Sequence, residues 1–224
     1  MNQLQSETVS LTAVPPPVTA EDRARADLYA LIARLLLAPP DAALLANLSE
    51  ADSLVSHQAD NPLDRAWEKL IIAAGIMDEQ SIQNEFDALF VSTGNPQVDP
   101  YASLYLSGFM MEKPLSALRT DLLQLGLMRI PGVCELEDHL AALCETMRLL
   151  ITGEQGGKQQ PVERQKVFFE KHISPWYGRC MDDIRLAHGA NFYRLIADFV
   201  QAFLDIESQA FEMEYSAAAR NAEL

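Results

Sequence analysis

The chain has 224 residues, of which 17 are Lys or Arg and 32 are Asp or Glu, so its formal charge is −15 at pH 7. Such a field repels nucleic acids and anionic lipid surfaces and attracts cationic peptides, so we expect no nucleic-acid partner. Because 49% of the residues are hydrophobic, the chain is long and apolar enough to build one compact core.

The cysteine pattern and the apolar runs bear on the compartment. Cys134, Cys144 and Cys180 contain no C-x-x-C pair, which argues against a disulfide framework or a zinc site. No apolar run approaches the roughly 20 residues that span a bilayer. Residues 1–20 lack Lys, Arg and a secretory apolar core, so we expect no signal peptide. A cytoplasmic protein without stable membrane insertion is therefore expected.

The hydrophobic pattern predicts helices along almost the whole chain. Residues 1–20 are polar and proline-rich, which predicts a disordered tail before a helical domain over residues 21–224. No segment alternates strictly as a half-buried strand does. The fold class is therefore all-α, a single globular bundle of about ten helices. Helix starts are predicted near Glu21, Asp41, Asn61, Asp78, Tyr101, Pro114, Glu135, Val162, Pro175 and Ala190.

The predicted helix over residues 135–151 carries the densest group of candidate site residues. Glu135, Glu137 and Asp138 are expected in its first turn, where carboxylates face the positive end of the helix dipole. His139 is expected at the edge of the apolar stripe. On residues alone, an ordinary capped helix start is the more common explanation. The alternative is that Asp138 and His139 form a polar recognition site.

A second candidate is the proline-bounded loop over residues 92–100, which leads into Tyr101 and Tyr105. Such a loop can frame a groove for an extended or helical peptide, but it can equally be an ordinary connection between helices. Motifs typical of metal sites, nucleophilic hydrolases and phosphate cradles are absent from the sequence.

Five segments occur in a recognisable order. They are Phe86–Val91, the proline–tyrosine–x–serine–x–tyrosine run 100–105, the acidic run 135–139 ending in Asp-His, the block 168–176 and the pair Phe192-Tyr193. Together they resemble the TorD/DmsD family of cytoplasmic chaperones for redox enzymes, which includes NarJ-like members. The resemblance covers about residues 21–211. Leu136 stands where the family usually has proline, which changes the entry into the predicted helix.

The resemblance implies a TorD-like helical bundle without enzymatic turnover. It implies a chaperone that binds the twin-arginine signal peptide of a molybdenum-cofactor oxidoreductase and delays export until the cofactor is inserted. Residues 108–115 and 140–145 look most like the subset associated with formate dehydrogenases, and dimethyl sulfoxide or trimethylamine N-oxide reductases are the other implied clients. The folding enzyme itself is a further implied partner. Some members bind guanine nucleotides weakly, and monomers and homodimers both occur.

The resemblance also implies where the peptide binds. Asp138 is expected to pair with a guanidinium group, with His139 as a hydrogen-bonding neighbour that can sense pH. Tyr101, Tyr105 and Leu136 are expected to line the groove for the apolar segment. The full implied signal-peptide site is Tyr101, Ser103, Tyr105, Glu135, Leu136, Glu137, Asp138 and His139.

Two alternatives from other classes remain open on the sequence. One is a helical hydrolase that uses Asp138 and His139 as acid and base. The other is a non-catalytic helical adaptor, in which the same residues only pack.

Overall fold

The computed structural model describes residues 17–52, 61–91, 96–130, 132, 135–155 and 158–222, with side chains as far as Met213. Within these ranges the chain forms ten α-helices and no strand, which confirms the all-α class. The helices are α1 Ala20–Leu37, α2 Ala42–Ser49, α3 Pro62–Ile76, α4 Glu79–Phe86, α5 Ala102–Ser107, α6 Lys113–Gln124, α7 Leu140–Thr152, α8 Val162–His172, α9 Tyr177–Leu186 and α10 Phe192–Ala222, with a π-helical turn at Asp87–Val91.

One core joins the helices. The last helix, α10, packs against α3 and α9, α1 lies along α7, and α2 packs on α3. Buried apolar side chains recur along α10 at helical spacing, so one face of this long helix is covered by its neighbours. Those side chains are Phe192, Tyr193, Ile196, Phe199, Val200, Phe203 and Leu204. None of the described helices is long and apolar enough to cross a membrane.

Side-chain caps set several helix starts as predicted. Asp41, Asn61 and Asp78 each accept a hydrogen bond from a backbone N–H in the first turn of the helix that follows. Helix α1 begins one residue before the predicted boundary, at Ala20, because Thr19 caps it. The predicted tail therefore ends at a helix. Its residues 1–16 lie outside the described residues, as do 92–95 of the predicted loop and Cys134.

The predicted helix start at Glu135 is wrong, because α7 begins at Leu140. The backbone of residues 138–140 pairs with that of residues 100–102 instead. The N–H of Ala102 donates to the carbonyl of Asp138, and the N–H of Leu140 donates to the carbonyl of Pro100, both at 2.9 Å. This antiparallel bridge requires extended backbone, so the helix cannot start before it.

Two other boundaries also differ from prediction. The helix expected from Ala190 begins at Phe192, and α5 is short because Gly108 adopts a left-handed conformation with φ 82° and ends it at Ser107. The helix expected from Pro175 begins at Tyr177, after a turn over residues 173–176. Both differences are local and leave the helix order unchanged.

The start of α10 is capped by a side chain from another helix. Glu85, buried on α4, accepts hydrogen bonds from the backbone N–H groups of Asn191, Phe192 and Tyr193 at 2.8, 3.1 and 2.7 Å. These N–H groups have no partner inside their own helix, and a carboxylate is favoured at the positive end of the helix dipole. Glu85 therefore links α4 to the start of α10.

We predict that Glu85→Ala lowers the free energy of unfolding by about 2–4 kcal/mol, because three N–H groups, two of them buried, lose a charged acceptor. Glu85→Gln should cost less, since its amide oxygen can still accept one of the bonds. Chemical denaturation monitored by circular dichroism measures both. Glu68→Ala, an exposed position on α3, is the control and should change little. Equal effects of Glu85→Ala and Glu68→Ala would contradict the capping role.

Candidate functional site

The bridge between residues 100–102 and 138–140 brings two of the family-like segments together. Besides the two backbone bonds, the N–H of Ser103 donates to Oδ2 of Asp138 at 2.9 Å. Three hydrogen bonds therefore hold the start of α5 against the start of α7. Most of the predicted site residues lie on or beside this bridge, although they are about 35 positions apart in the chain.

Tyr101 links the bridge to residues 135–137, which precede α7 and are called the acidic turn below. Its hydroxyl donates to Oε2 of Glu135 at 2.5 Å, and its ring meets the ring of His139 edge-on, with centroids 4.9 Å apart. Partial burial, together with the hydrogen bond to Glu135, raises the pKa of the Tyr101 phenol well above its ordinary value. The phenol therefore stays protonated and orients the Glu135 carboxylate.

Asp138 and Ser103 are sealed inside the protein. Both have 0% of their surface exposed. Oδ1 of Asp138 and Oγ of Ser103 have no hydrogen-bond partner within the described part of the chain. In this conformation, Asp138 is not accessible from the outer surface for the direct pairing with a peptide guanidinium that the sequence suggested. Its described contact instead fixes the backbone of α5.

His139 is the N-cap of α7. Its Nδ1 accepts a hydrogen bond from the N–H of Ala141 at 3.1 Å, and only 6% of its surface is exposed. Burial lowers the pKa of His139 to about 4, although the charges of Glu135 and Asp138 act in the opposite direction. The imidazole is therefore neutral at pH 7 and serves as a capping acceptor.

An open groove lies between α1 and α7, next to the acidic turn. Its volume is about 490 Å³, and most of its lining is apolar. Four predicted site residues contribute to its wall, namely Glu135, Leu136, Glu137 and His139. The other lining residues come from α1 (Ala30, Ala33, Arg34, Leu37), from α6 and the segment that follows it (Leu122, Leu127, Met128, Arg129, Ile130), from α7 (Ala141, Ala142, Glu145, Thr146, Leu149) and from Gln155.

Charged groups of both signs line this groove. Glu137 accepts two hydrogen bonds from Arg119, at 3.1 and 2.9 Å, and lies 4.0 Å from Nε of Arg129. Burial alone would raise the pKa of Glu137, but the bonds from Arg119, a backbone hydrogen bond and the charges of Arg119 and Arg129 together hold that pKa below its ordinary value. Arg129 also donates to the carbonyl of Glu135 at 3.2 Å. The acidic turn is thus already bound by two arginines of the chain.

Tyr105 lies in a different place from the one expected. Its ring stacks on Trp176 with centroids 5.2 Å apart, and its hydroxyl donates to Asp183 at 2.7 Å. It lines a shallow polar hollow together with Asp99, Arg179 and Asp183. Leu136 therefore lines the groove, whereas Tyr101 reaches it only through Glu135, and Tyr105 does not line it.

Sequence reasoning missed the wall that α1 contributes. Ala30 and Ala33 on α1, with Ala141 and Ala142 on α7, are small side chains that leave space between two closely packed helices. The sequence did contain one indication of this wall, because Ala30 and Ala33 are three residues apart on α1, next to Arg34. Nothing in the sequence showed that α1 and α7 are neighbours. No group of three or more His, Cys, Asp or Glu suited to a metal ion occurs within the described ranges.

We predict that Asp138→Ala lowers the free energy of unfolding by about 1–3 kcal/mol, because the buried N–H of Ser103 then lacks an acceptor. Asp138→Asn should retain most of the stability, since an amide oxygen can still accept that bond. Urea denaturation of the two variants distinguishes them. Equal losses for alanine and asparagine would show that the bond to Ser103 contributes little.

We also predict that His139 makes the protein less stable in mild acid. The folded-state pKa is below the ordinary value of 6.5, so this contribution is present above pH 6.5 and is lost as the pH falls towards 4. Between pH 7 and pH 5 the loss should be about 2 kcal/mol. His139→Asn keeps a capping acceptor that does not titrate, so it should remove this part of the pH dependence. Unfolding free energies of wild type and variant, measured across pH, should therefore diverge; parallel curves would contradict the prediction.

Comparison with known proteins assigns the chain to a family. No curated protein matched the chain. The family model described as "Nitrate reductase delta subunit" matches residues 56–182, more than half of the 224 residues, and this range includes the bridge and the acidic turn. The match confirms the resemblance found in the sequence, because this is the family of NarJ- and TorD-type proteins. The chain therefore belongs to the nitrate reductase delta subunit family of redox-enzyme maturation chaperones.

Proposed function

We propose that the protein binds the N-terminal twin-arginine leader of a molybdenum-cofactor oxidoreductase in the cytoplasm, and holds it there until the cofactor has been inserted. The observation that carries this proposal is the apolar groove between α1 and α7, whose wall includes the acidic turn Glu135–Glu137. A leader of this type joins a basic pair to an apolar segment. The groove offers both of the matching surfaces side by side.

The apolar part of the leader suits the walls of the groove. A volume of about 490 Å³ is within the range of about 300–1,000 Å³ that is usual for ligand sites. Leu37, Leu136 and Leu149 supply apolar surface, and Ala33 and Ala142 leave room for the side chains of a helical or extended peptide. Met128 and Ile130, 78% and 66% exposed beside the groove, add apolar surface that a peptide would cover.

The basic pair suits the acidic turn. Glu135 uses Oε2 to accept the Tyr101 hydroxyl, and its other carboxylate oxygen accepts no hydrogen bond within the described part of the chain. It is therefore the natural first partner for a guanidinium. At Glu137, a leader arginine would compete with Arg119 and Arg129. Both of these arginines are at least 39% exposed, so exchange costs little burial.

The remaining residues of the predicted site are assigned supporting roles. Tyr101 orients Glu135, Asp138 and Ser103 hold the bridge, and His139 caps α7 beside Leu136. Loss of any of them would weaken leader binding by loosening the turn that carries the two glutamates. Tyr105, on the separate hollow, is assigned no contact with the leader.

The hydrolase alternative has no supporting geometry. Nδ1 of His139 is used as an N-cap, and Asp138 bonds the backbone of α5 rather than the imidazole. His139 also has a pKa of about 4, too low for a general base near neutral pH. The supported activity is therefore binding.

Isothermal titration calorimetry tests the proposal with leader peptides from formate dehydrogenase, dimethyl sulfoxide reductase and trimethylamine N-oxide reductase, and with the N-terminal segment of a nitrate reductase. We predict that at least one binds with a single site. Replacing the two arginines of that peptide by glutamine should weaken binding, because the charged contacts are lost. Higher salt should weaken it as well, since the pairs are partly exposed. Absence of binding to every peptide would reject the proposal.

Two variants locate the site in the groove. Ala142→Phe should abolish leader binding by filling the groove, while the double change Glu135→Gln and Glu137→Gln should raise Kd roughly tenfold, which is about 1.4 kcal/mol. Glu163→Gln, an exposed charge on α8, is the matched control and should leave Kd unchanged. Tight binding that survives both groove variants would place the leader elsewhere on the protein.

A further inference from the structure

The groove between α1 and α7 carries apolar side chains that are open to solvent. Leu37 on its α1 wall is 51% exposed, and Met128 and Ile130 at its rim are 78% and 66% exposed. Their exposure means that no segment of the described part of the chain covers them. Exposed apolar surface of this kind usually marks a place where another polypeptide binds. A cover would therefore come from a partner or from residues of the chain outside the described ranges.

The N-terminal segment, residues 1–16, is attached to the fold at one end of this groove. The described residues begin at Pro17, three positions before α1. Within the first turn of α1, Nη1 of Arg23 lies 2.6 Å from the carboxylate of Glu154, which follows the end of α7. The next residue, Gln155, lines the groove. The start of α1, and with it the attachment point of the N-terminal segment, therefore lies beside the Gln155 end of the groove.

Residues 9–14 have the right length to lie along the groove. They precede Pro17 by three to eight positions, and an extended chain covers about 3.3 Å per residue, so they can reach about 10–26 Å from it. At 1.5 Å per residue, the lining residues Ala30 to Leu37 lie about 15–26 Å along α1 from its start. Thr19, the N-cap of α1, has extended backbone, so the chain leaves the helix axis there and can turn back along α1.

The composition of this stretch suits apolar walls. Val9, Leu11 and Val14 alternate with small residues, and the whole N-terminal segment contains no Lys or Arg and a single acid, Glu7. Small and β-branched side chains fit a space that alanines of α1 and α7 leave open. Weak contacts are sufficient, because the covalent attachment holds the segment at an effective concentration in the mM range.

We propose that residues 9–14 occupy the groove between α1 and α7 when no partner is bound. The apolar side chains of the stretch contact the walls, and the segment leaves the acidic turn unpaired because it has no basic residue. A partner that joins basic residues to an apolar segment gains contacts that the N-terminal segment lacks, and so displaces it. This competition rests on the proposed function of the groove, whereas occupation of the groove is tested without any leader.

The test uses the full chain, labelled with ¹⁵N, and the heteronuclear {¹H}–¹⁵N NOE of the amides of residues 9–14. This quantity reports motion on the ps–ns timescale. We expect values that approach those of α1, because a bound segment moves with the fold. Values as low as those of a freely moving chain end would overturn the proposal. Values that change when the protein is diluted would show binding to a second copy, and would overturn it as well.

A variant of the groove locates the segment. Ala142→Phe fills the groove, so it should lower the NOE values of residues 9–14. Ala46→Phe, an equal change at an exposed position of α2 that does not line the groove, is the matched control and should leave them unchanged. High values that persist in Ala142→Phe would place the segment elsewhere and overturn the proposal.

A variant of the segment decides the matter if Ala142→Phe does not fold. Val9→Ser combined with Leu11→Ser removes apolar contacts, lies before the described fold and adds no charge that could attract a basic leader. It should lower the NOE values of residues 9–14 and shift the amides of Ala33 and Ala142, because the groove is vacated. Amides of the groove that keep their wild-type positions would overturn the proposal.

Calorimetry then separates this proposal from the proposed function. If the segment fills the groove in about four of five molecules, the double serine variant should bind the tightest leader of the calorimetric panel roughly fivefold more tightly than wild type. An equal Kd would overturn the competition. Failure of every leader to bind, with high NOE values for residues 9–14, would reject the proposed function and leave the segment in the groove. Leader binding with low NOE values would do the reverse.

Discussion

The pairing of residues 100–102 with residues 138–140 is the constraint on which the site depends. Three hydrogen bonds across it join the start of α5 to the start of α7, and one of them uses the buried carboxylate of Asp138. Within the described ranges, this is the place where two segments pair through extended backbone. It ends the acidic turn, delays the start of α7 to Leu140, and so determines where Glu135, Leu136 and Glu137 lie.

The bridge also lies between two cavities of the protein. Leu136 and His139 line the groove beside α1, while the buried residue Asp138 contributes to the wall of a smaller cavity between α5, α6, α7 and α8. Extended backbone sends successive side chains to opposite faces, which accounts for this division. Two consecutive residues of one motif therefore have different surroundings, and a substitution at either one affects the turn that both share.

The chaperone assignment and the geometry are consistent in a specific way. A maturation chaperone has to bind an incompletely folded partner reversibly, and Glu137 of the acidic turn is held here by exposed arginines of the chain. Arg119 and Arg129 keep Glu137 ionised and oriented, and they can be exchanged for arginines of a partner at little cost in buried surface.

The sequence by itself determined the all-α class, the helix order, the capped starts at Asp41, Asn61 and Asp78, and the family, because helical periodicity and capping chemistry are local properties of neighbouring residues. It also singled out the two segments that meet at the bridge. It did not determine that Asp138 is buried, that His139 is a cap, or that Tyr105 lies apart on Trp176. The first two facts depend on hydrogen bonds between residues about 35 positions apart and on the packing of α1 against α7. The third depends on the contacts of Tyr105 with Trp176 and with Asp183 on α9. Only the tertiary structure decides such long-range contacts, since no pattern within a single helix specifies which other helix will cover it.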